Sequence, residues 1–134
     1  MLGVEGAEKK MNRLRDEIHK NAVEHGWWDK ERSFGEIIAL CHSELSEALE
    51  EYRKGNKPNQ IYYKDKSGNE YGCDIPDFDG EGNLKPEGIP IELADCIIRI
   101  LDYCGKEGIN IEEAIRIKHN YNKTRPYKHG GKRI

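Results

Sequence analysis

A capped helix between Ser33 and Gly55 is the feature that most constrains how this chain can fold. Its sequence is SFGEIIALCHSELSEALEEYRKG, and it begins with a capping box of Ser33 and Glu36. In a capping box each side chain satisfies a free backbone N–H at the helix start. Gly55 supplies the left-handed residue that commonly follows a helix end. The sequence therefore predicts a helix of about six turns.

One face of this helix is apolar but contains an acid. At about 100° per residue, with Leu40 at the edge, one stripe contains Ile37, Cys41, Leu45, Ala48 and Tyr52. Glu44 falls inside the stripe, and Glu47 and Glu51 lie beside it. An ionised carboxylate in an apolar interface costs several kcal/mol unless it is paired, hydrogen-bonded or coordinated to a cation. Glu44 therefore requires a partner.

The composition predicts one cytoplasmic domain. The chain has 134 residues, of which 35% are charged, and a formal net charge of −3. This length suits a single domain, residues 1–134, that buries roughly two-thirds of its unfolded surface. The chain has no run of about 18 apolar residues, so we expect no membrane span. Its charged start, MLGVEGAEKK, lacks the apolar core of a signal peptide.

The cysteines are interpreted as structural thiols. They are Cys41, Cys73, Cys96 and Cys104, and no two of them have C-x-x-C spacing. Three lie in apolar helical contexts, where a thiol packs as a small hydrophobic group. A zinc site with Cys41, His42 and a distant cysteine is an alternative that the spacing supports poorly.

A first helix is predicted over residues 6–25, before the central one. Its narrow apolar seam consists of Met11, Leu14, Ile18 and Ala22, and Gly26 ends the pattern. The linker that follows contains Trp27 and Trp28, which cannot both face the same core. Two interpretations stay open, namely a hydrophobic lid over the end of a helical bundle and an aromatic surface that stacks on a flat ligand.

The segment of about residues 56–89 differs in composition from the rest of the chain. Glycine, proline, asparagine and aspartate make up nearly half of it, and it contains four of the eleven aromatic residues. QIYYK and EYGCDI, on either side of Lys66-Ser67-Gly68, predict a short β-hairpin that is followed by an irregular loop.

The next helix, IELADCIIRILDYC, is predicted to begin near Pro90 and to end at Gly105. Its apolar residues cover roughly two-thirds of the circumference, so we expect protein around most of it. Its polar stripe faces either water or an internal site and consists of Glu92, Asp95, Arg99 and Asp102.

A fourth helix is predicted after a second capping pair, Asn110 and Glu113. Its expected inner positions are Ile111, Ala114, Ile115 and Tyr121. From residue 116 onward the chain has no acid, and its basic residues are Arg116, Lys118, Lys123, Arg125, Lys128, Lys132 and Arg133. The contrast between this basic tail, about residues 122–134, and the acidic stripes suggests that both charges converge on one ligand.

Two acid pairs, Glu44-x-x-Glu47 and Glu92-x-x-Asp95, each lie on one face of a helix. If the two faces meet, four carboxylates repel one another unless a divalent cation neutralises them. Mg2+ fits best, with Mn2+ as a substitute, because it takes hard oxygen ligands and shares its octahedron with phosphate oxygens. The alternative is that each pair is a solvated helix face, because E-x-x-E also occurs often on such faces.

Three segments, SELSEALEEYR, IPIELADCIIRILDY and KHNYNKTRPYKHGGK, resemble the MazG-like all-α nucleotide pyrophosphohydrolases. Relatives of that family include dimeric dUTPases, dCTP pyrophosphatases and phosphoribosyl-ATP pyrophosphohydrolase. The resemblance covers the chain from about Trp27 to Lys132. It implies an all-α fold of four-helix-bundle type, here with a β-hairpin insertion between the second and third main helices.

The resemblance also implies an activity, namely the magnesium-dependent cleavage of a nucleoside triphosphate to the monophosphate and pyrophosphate by a homodimer or homotetramer. The family pattern E-E-x-x-E, spacer, E-x-x-D implies metal-binding and catalytic roles for Glu44, Glu47, Glu92 and Asp95. The family segment K-x-x-x-N-x-x-R implies phosphate contacts by Lys118, Asn122, Lys123 and Arg125. Trp27 or Trp28 is our candidate for stacking on the base.

Two departures from the family pattern limit what carries over. Ser43 stands where the pattern has the first glutamate of E-E-x-x-E. The spacer of about 44 residues is longer than in compact members and carries the hairpin. Substrate identity therefore does not transfer.

The alternative function is a non-enzymatic nucleic-acid-binding helical module that uses the basic tail NYNKTRPYKHGGKRI on backbone phosphates. That reading leaves Glu44 and the acidic stripe unexplained. We therefore favour the enzyme, and we expect neither nucleic acid nor a membrane as its partner.

Overall fold

The computed structural model describes residues 2–72 and 83–127, and most of them are helical. The elements are α1 (Leu2–Glu24), α2 (Phe34–Arg53), β1 (Tyr62–Lys64), β2 (Glu70–Tyr71), β3 (Lys85–Glu87), α3 (Ile89–Glu107) and α4 (Ile111–Lys123). Within the described residues, none of these helices has the length and apolarity to cross a membrane. The predicted helical class is confirmed, and the bundle arrangement stays a prediction.

The chain divides into two compact units. The α1–α4 unit contains Met1–Trp27 and Leu101–Ile134, and the α2–sheet unit contains Trp28–Ile100. Helix α3 contributes residues 89–100 to the α2–sheet unit and residues 101–107 to the α1–α4 unit. The assignment of residues 1–134 to one domain stays a prediction.

Helix α2 has the predicted limits. Ser33 is its N-cap, and the Ser33 Oγ accepts a hydrogen bond from the Glu36 backbone N–H at 3.1 Å. The Glu36 carboxylate accepts from Arg32 Nη1 at 2.9 Å, which places a cation beside the first turn. After the helix, Gly55 has a φ of 93°, the left-handed conformation that the sequence predicted.

The buried face of α2 is rotated from the predicted stripe. Its buried residues are Ile37, Cys41, Glu44, Ala48 and Glu51. Glu44 is therefore buried as predicted, but the inner positions assigned to Leu45 and Tyr52 are wrong, because these side chains are 46% and 62% exposed. The true stripe follows alternating steps of three and four residues, which brings Glu51 inside.

The sheet has the order β2-β1-β3, with β1 antiparallel to both neighbours. The β1–β2 pair is the predicted hairpin, and the predicted continuation from Cys73 onward lies outside the described residues. Strand β3 was not predicted, because Lys85-Pro86-Glu87 reads as a loop. Proline lacks the N–H for a ladder, but it is tolerated in an edge strand such as this one.

Helix α3 was predicted to end at Gly105, but it continues to Glu107. Gly108, with a φ of 68°, supplies the left-handed residue after it. Gly105 is needed for packing instead, because a Cβ built there lies 2.5 Å from His19 Cβ on α1. The expectation that protein surrounds most of α3 is also wrong within this chain, since several of its described apolar side chains are 42–53% exposed: Leu93, Ile97, Ile98 and Ile100.

Polar contacts connect α1 with α4 and with the end of α3 in the α1–α4 unit. Asn110 caps α4 as predicted, accepting from the Glu113 backbone N–H at 3.1 Å. Asn12 on α1 donates from its side chain to the Asn110 side chain at 2.8 Å, and its backbone N–H donates to Glu112 at 2.7 Å. His19 on α1 lies 2.8 Å from the buried carboxylate of Asp102.

The predicted inner positions of α1 and α4 are mostly wrong. No described residue of α4 is buried, and Ile115 and Tyr121 are 47% and 56% exposed. Ala114 is exposed as well, and Ile111 is half-buried. On α1, Met11 and Leu14 are exposed, whereas Ile18 and Ala22 are half-buried.

Candidate metal centre

Glu44 lies on the buried face of α2, between Cys41 and Ala48, and it is 7% exposed. The sequence analysis expected a divalent cation as the partner of Glu44, and the structure shows a different partner on α3, because Arg99 Nε donates to Glu44 Oε1 at 2.8 Å. This charge-assisted bond satisfies one carboxylate oxygen and fixes its direction.

Glu47 and Glu92 lie beside Glu44. The three residues each offer one carboxylate oxygen, and these oxygens all lie within 4.8 Å of one another. Glu47 is one turn further along α2 and exposed, whereas Glu92 is in the first turn of α3 and only 7% exposed. The structure thus brings together three of the four acids that the sequence assigned to a metal.

The carboxyl group of Glu92 is buried beside several other acids. Burial, the shared hydrogen bond and charge of Glu47, and the charges of Asp95 and Glu44 together raise the pKa of Glu92 to about 8. Among the described residues, its Oε2 is a buried side-chain atom that has no hydrogen-bond partner. A buried acceptor in this state lacks the compensation that buried polar atoms almost always have.

Asp95, the fourth predicted acid, lies one turn beyond Glu92 on α3 and is half-buried. Burial and the charge of Glu44 raise its pKa, and the nearby Arg99 partly offsets this. Within the described residues, Asp95 is not one of the acids whose oxygens lie within 4.8 Å of one another. Asp95 therefore lies outside the three-acid group but is influenced by the charge of its members.

Two further acids adjoin this centre, and the sequence analysis did not assign them to the site. Glu51 and Glu87 form a second group with Glu92, again with oxygens within 4.8 Å of one another. Glu51 could have been found from its spacing of four residues after Glu47. Glu87 could not, because its position depends on the unpredicted strand β3.

Glu51 is held by donors from the segment after α2. The Tyr62 hydroxyl on β1 donates to both Glu51 oxygens at 2.9 Å, and the Asn56 side-chain amide donates to Oε2. Burial and this hydrogen bond raise the pKa of Tyr62, so the hydroxyl stays protonated as a donor.

A cavity of about 490 Å³ lies beside β1 and the segment after α2. It is lined by Lys54, Asn56, Gln60, Tyr62, Glu70, Tyr71 and Gly72. Tyr62 and Asn56 belong to both the cavity wall and the Glu51 contacts. The cavity therefore adjoins the second acid group through shared residues.

The predicted phosphate contacts belong to the α1–α4 unit, whereas the acids belong to the α2–sheet unit. Lys118, Asn122 and Lys123 are exposed on α4, and Arg125 is half-buried just after it. The Lys118 ammonium lies 4.8 Å from the centroid of the Tyr121 ring. The tail beyond residue 127, with Lys128, Lys132 and Arg133, lies outside the described residues.

Trp27 and Trp28 are both half-buried, and both take part in contacts. Trp27 belongs to the α1–α4 unit and Trp28 to the α2–sheet unit. Both interpretations of this pair, a lid or a stacking surface, stay predictions.

The described cysteines are free buried thiols, as predicted: Cys41, Cys96 and Cys104. Burial raises the pKa of Cys41 and of Cys104. His42 is exposed beside the buried Cys41, and no described cysteine or histidine belongs to a group that could hold a metal. The structural interpretation of these three thiols is confirmed, and Cys73 lies outside the described residues.

Comparisons with protein-family models, with curated proteins and with solved structures found no match.

Proposed function

We propose that this chain is a magnesium-dependent nucleoside triphosphate pyrophosphohydrolase of the MazG-like type, which releases a nucleoside monophosphate and pyrophosphate. The observation that supports this most is the convergence of Glu44, Glu47 and Glu92 from two helices to within 4.8 Å. These are three of the four acids that the family resemblance singles out. If each acid pair were only a solvated helix face, its carboxylates would not need to lie close to those of the other helix.

The residues present fit a hard divalent cation. All the candidate ligands are carboxylate oxygens, which Mg2+ and Mn2+ prefer over softer donors. The unpartnered Oε2 of Glu92 is the kind of buried acceptor that a cation would satisfy. Glu44, Glu47 and Glu92 would hold the ion, with Asp95 beside them. When bound there, Mg2+ supplies positive charge that stabilises the charge developing on phosphate oxygens.

The chain's own residues have defined roles in the proposal. Arg99 orients Glu44 through the bond at 2.8 Å and so keeps one carboxylate in place before substrate arrives. The attacking water needs a base, and a carboxylate whose pKa is raised is better suited to accept a proton at neutral pH. Asp95 has a raised pKa and lies beside the three proposed ligands, so the proposal assigns the proton to Asp95.

At the substrate end, the proposal assigns phosphate contacts to the cationic residues of α4 and the segment after it: Lys118, Asn122, Lys123 and Arg125. Their support is the family resemblance and the exposure of the first three side chains. Trp27 or Trp28 would stack on the base. We place the protein in the cytoplasm, where nucleoside triphosphates are abundant.

A homodimer or homotetramer is part of the proposal. Helix α2 exposes Leu45, Leu49 and Tyr52 at 46–62%, and α3 exposes Leu93 and Ile97 at 43% and 53%. Apolar side chains at such helical spacing are typical of an interface between helices. Light scattering after size-exclusion chromatography tests this part, and a monomer at micromolar concentration contradicts it.

The central experiment is a product assay. The purified full-length chain is incubated with Mg2+ and a panel of canonical and modified nucleoside triphosphates, and products are resolved by anion exchange. We expect equal amounts of monophosphate and pyrophosphate, and no turnover in EDTA. Diphosphate with inorganic phosphate, or no turnover across the panel, would refute the proposal.

Variants connect that activity to the site. Asp95→Asn and Glu44→Gln are expected to lower kcat at least 100-fold, because ligand and base substitutions typically cost about 10²–10⁴. The matched control is Glu50→Gln on the same helix, since Glu50 is exposed and lies outside both acid groups. Circular dichroism must show unchanged helix content in all three variants. Normal turnover by Asp95→Asn would mean that the site is assigned wrongly.

A further inference from the structure

The second acid group is built from three different elements. Glu51 comes from α2, Glu87 from β3 and Glu92 from α3, and their carboxylate oxygens lie within 4.8 Å of one another. Glu92 is shared with the first group. The two groups therefore adjoin at one carboxylate.

An unpaired buried oxygen points to a ligand at this junction. Glu92 is 7% exposed, and its Oε2 has no hydrogen-bond partner in the described part of the chain. A glutamate within reach of four other carboxylates cannot be satisfied by them while all are ionised, because each is an acceptor only. A cation satisfies such an oxygen directly.

The sheet register and a hydroxyl on β1 position the other two acids of the second group, Glu87 and Glu51. Tyr62 on β1 is paired with Glu87 on β3, so the two side chains share one face of the sheet. The Tyr62 hydroxyl on that face donates to both oxygens of Glu51, which is 5% exposed. A hydroxyl that orients a buried carboxylate is typical of the residues that support metal ligands.

The charges around the two groups leave room for more than one cation. Six carboxylates lie in or beside them: Glu44, Glu47, Glu51, Glu87, Glu92 and Asp95. Arg99 contacts Glu44 at 2.8 Å, and Lys85 contacts Glu87 at 3.4 Å. Once all six are ionised, these cations leave a negative charge that is larger than one divalent cation balances.

We propose that Glu51, Glu87 and Glu92 bind a second divalent cation of the hard, oxygen-preferring kind, with Glu92 bridging it to the ion of the first group. Lys85, whose side chain is 78% exposed, leaves Glu87 when the ion binds. The hairpin insertion thereby contributes a metal ligand, Glu87, and the hydroxyl that orients another. The inference rests on the proposed function only through the shared use of Glu92.

Mn2+ binding to the metal-free, full-length chain without nucleotide tests this inference. Isothermal titration at pH 7.5 counts the bound ions, and electron paramagnetic resonance reports whether two ions are close enough to couple. The wild type is expected to bind two Mn2+ per chain with a coupled spectrum. Glu87→Gln is expected to bind one, with the spectrum of an isolated ion.

Two further variants separate the groups. Glu47→Gln is expected to weaken the first site at least about tenfold and to leave the second. Glu70→Gln is the matched control, because Glu70 is exposed on the same sheet and belongs to neither group. It is expected to bind two ions. Circular dichroism of the metal-free Glu87→Gln variant checks that the fold is retained.

The outcomes distinguish this inference from the proposed function. One ion per wild-type chain, or two ions in Glu87→Gln with unchanged affinity, overturns the second site. Turnover by a chain that binds a single ion supports the hydrolase and refutes the second site. A chain that binds two ions but hydrolyses no nucleotide supports the second site and refutes the hydrolase.

Discussion

Replacing Glu92 with glutamine is expected to stabilise the metal-free protein at neutral and mildly alkaline pH. Burial and its acidic neighbours raise the pKa of Glu92 from 4.5 to about 8 in the folded protein. Between these two values the folded protein keeps a proton that the unfolded chain releases. The stability due to this group is therefore complete below pH 4.5 and is lost as the pH rises to about 8. Glutamine does not titrate, so the variant escapes this loss.

The size of the effect follows from the shift. At about 1.4 kcal/mol per pKa unit, the rise from 4.5 to about 8 sets an upper limit of roughly 5 kcal/mol at pH 8 and above. The neighbouring acids share the strain and the side chain can relax, so we expect about 2 kcal/mol. For a chain of this length that corresponds to a rise in Tm of roughly 5–8 °C.

Urea denaturation of both proteins in EDTA, from pH 5 to pH 9, measures this difference. The two free energies of unfolding should lie close together near pH 5 and diverge above pH 6, with the variant more stable. Saturating Mg2+ should reverse the order, because an ion at about 100 times its Kd adds roughly 2.7 kcal/mol to the wild type. Equal pH slopes in EDTA, or a variant less stable than the wild type at pH 8, would refute the reasoning.

Two substitutions elsewhere in the fold test the packing. Gly105→Ala should lower the free energy of unfolding by about 1–3 kcal/mol, because its new Cβ lies 2.5 Å from His19 Cβ. The control Gly35→Ala, which meets only a distant side chain, should be neutral or slightly stabilising; equal effects in thermal melts would contradict this account. Tyr62→Phe should cost about 1.5–3 kcal/mol in urea denaturation, because buried Glu51 loses its hydroxyl donor, and an unchanged midpoint would show that this bond is not made.

The helices could be predicted where local signals mark their ends. Ser33 and Asn110 cap α2 and α4, and each accepts from the backbone N–H three residues on. Such caps act within one turn, so they can be read from neighbouring residues alone. Gly105 shows the limit of this reasoning, because its contact with His19 is visible only once α1 and α3 are packed.

The inner faces were predicted less well than the helix limits. Leu45 and Tyr52 are more exposed than Glu44 and Glu51 on the same helix. Hydrophobic periodicity assumes that apolar residues face the core, and this chain reverses that rule where acids are collected on the inside. The reversal was visible for Glu44 because it lay within the stripe. It was not visible for Glu51, which the wheel placed beside it.

Much of the acidic centre could be predicted, because paired acids at a spacing of three residues fix which side of a helix they occupy. Glu44, Glu47 and Glu92 meet because each pair places its acids on one face of its helix and these acids come together in the structure. Glu87 could not be predicted, because it depends on a strand of three residues that contains a proline. Its position is set by pairing across more than 20 residues of chain.

Because Tyr62 pairs with Glu87, the acidic centre depends on whether the insertion changes length by an odd or an even number of residues. Side chains on a strand alternate between faces, so a gain or loss of a single residue just before β3 that shifted its register by one would turn Glu87 away from Tyr62. A shift of two would preserve the face. Among chains that share this hairpin, changes in its length that come in even steps would leave the acid in place.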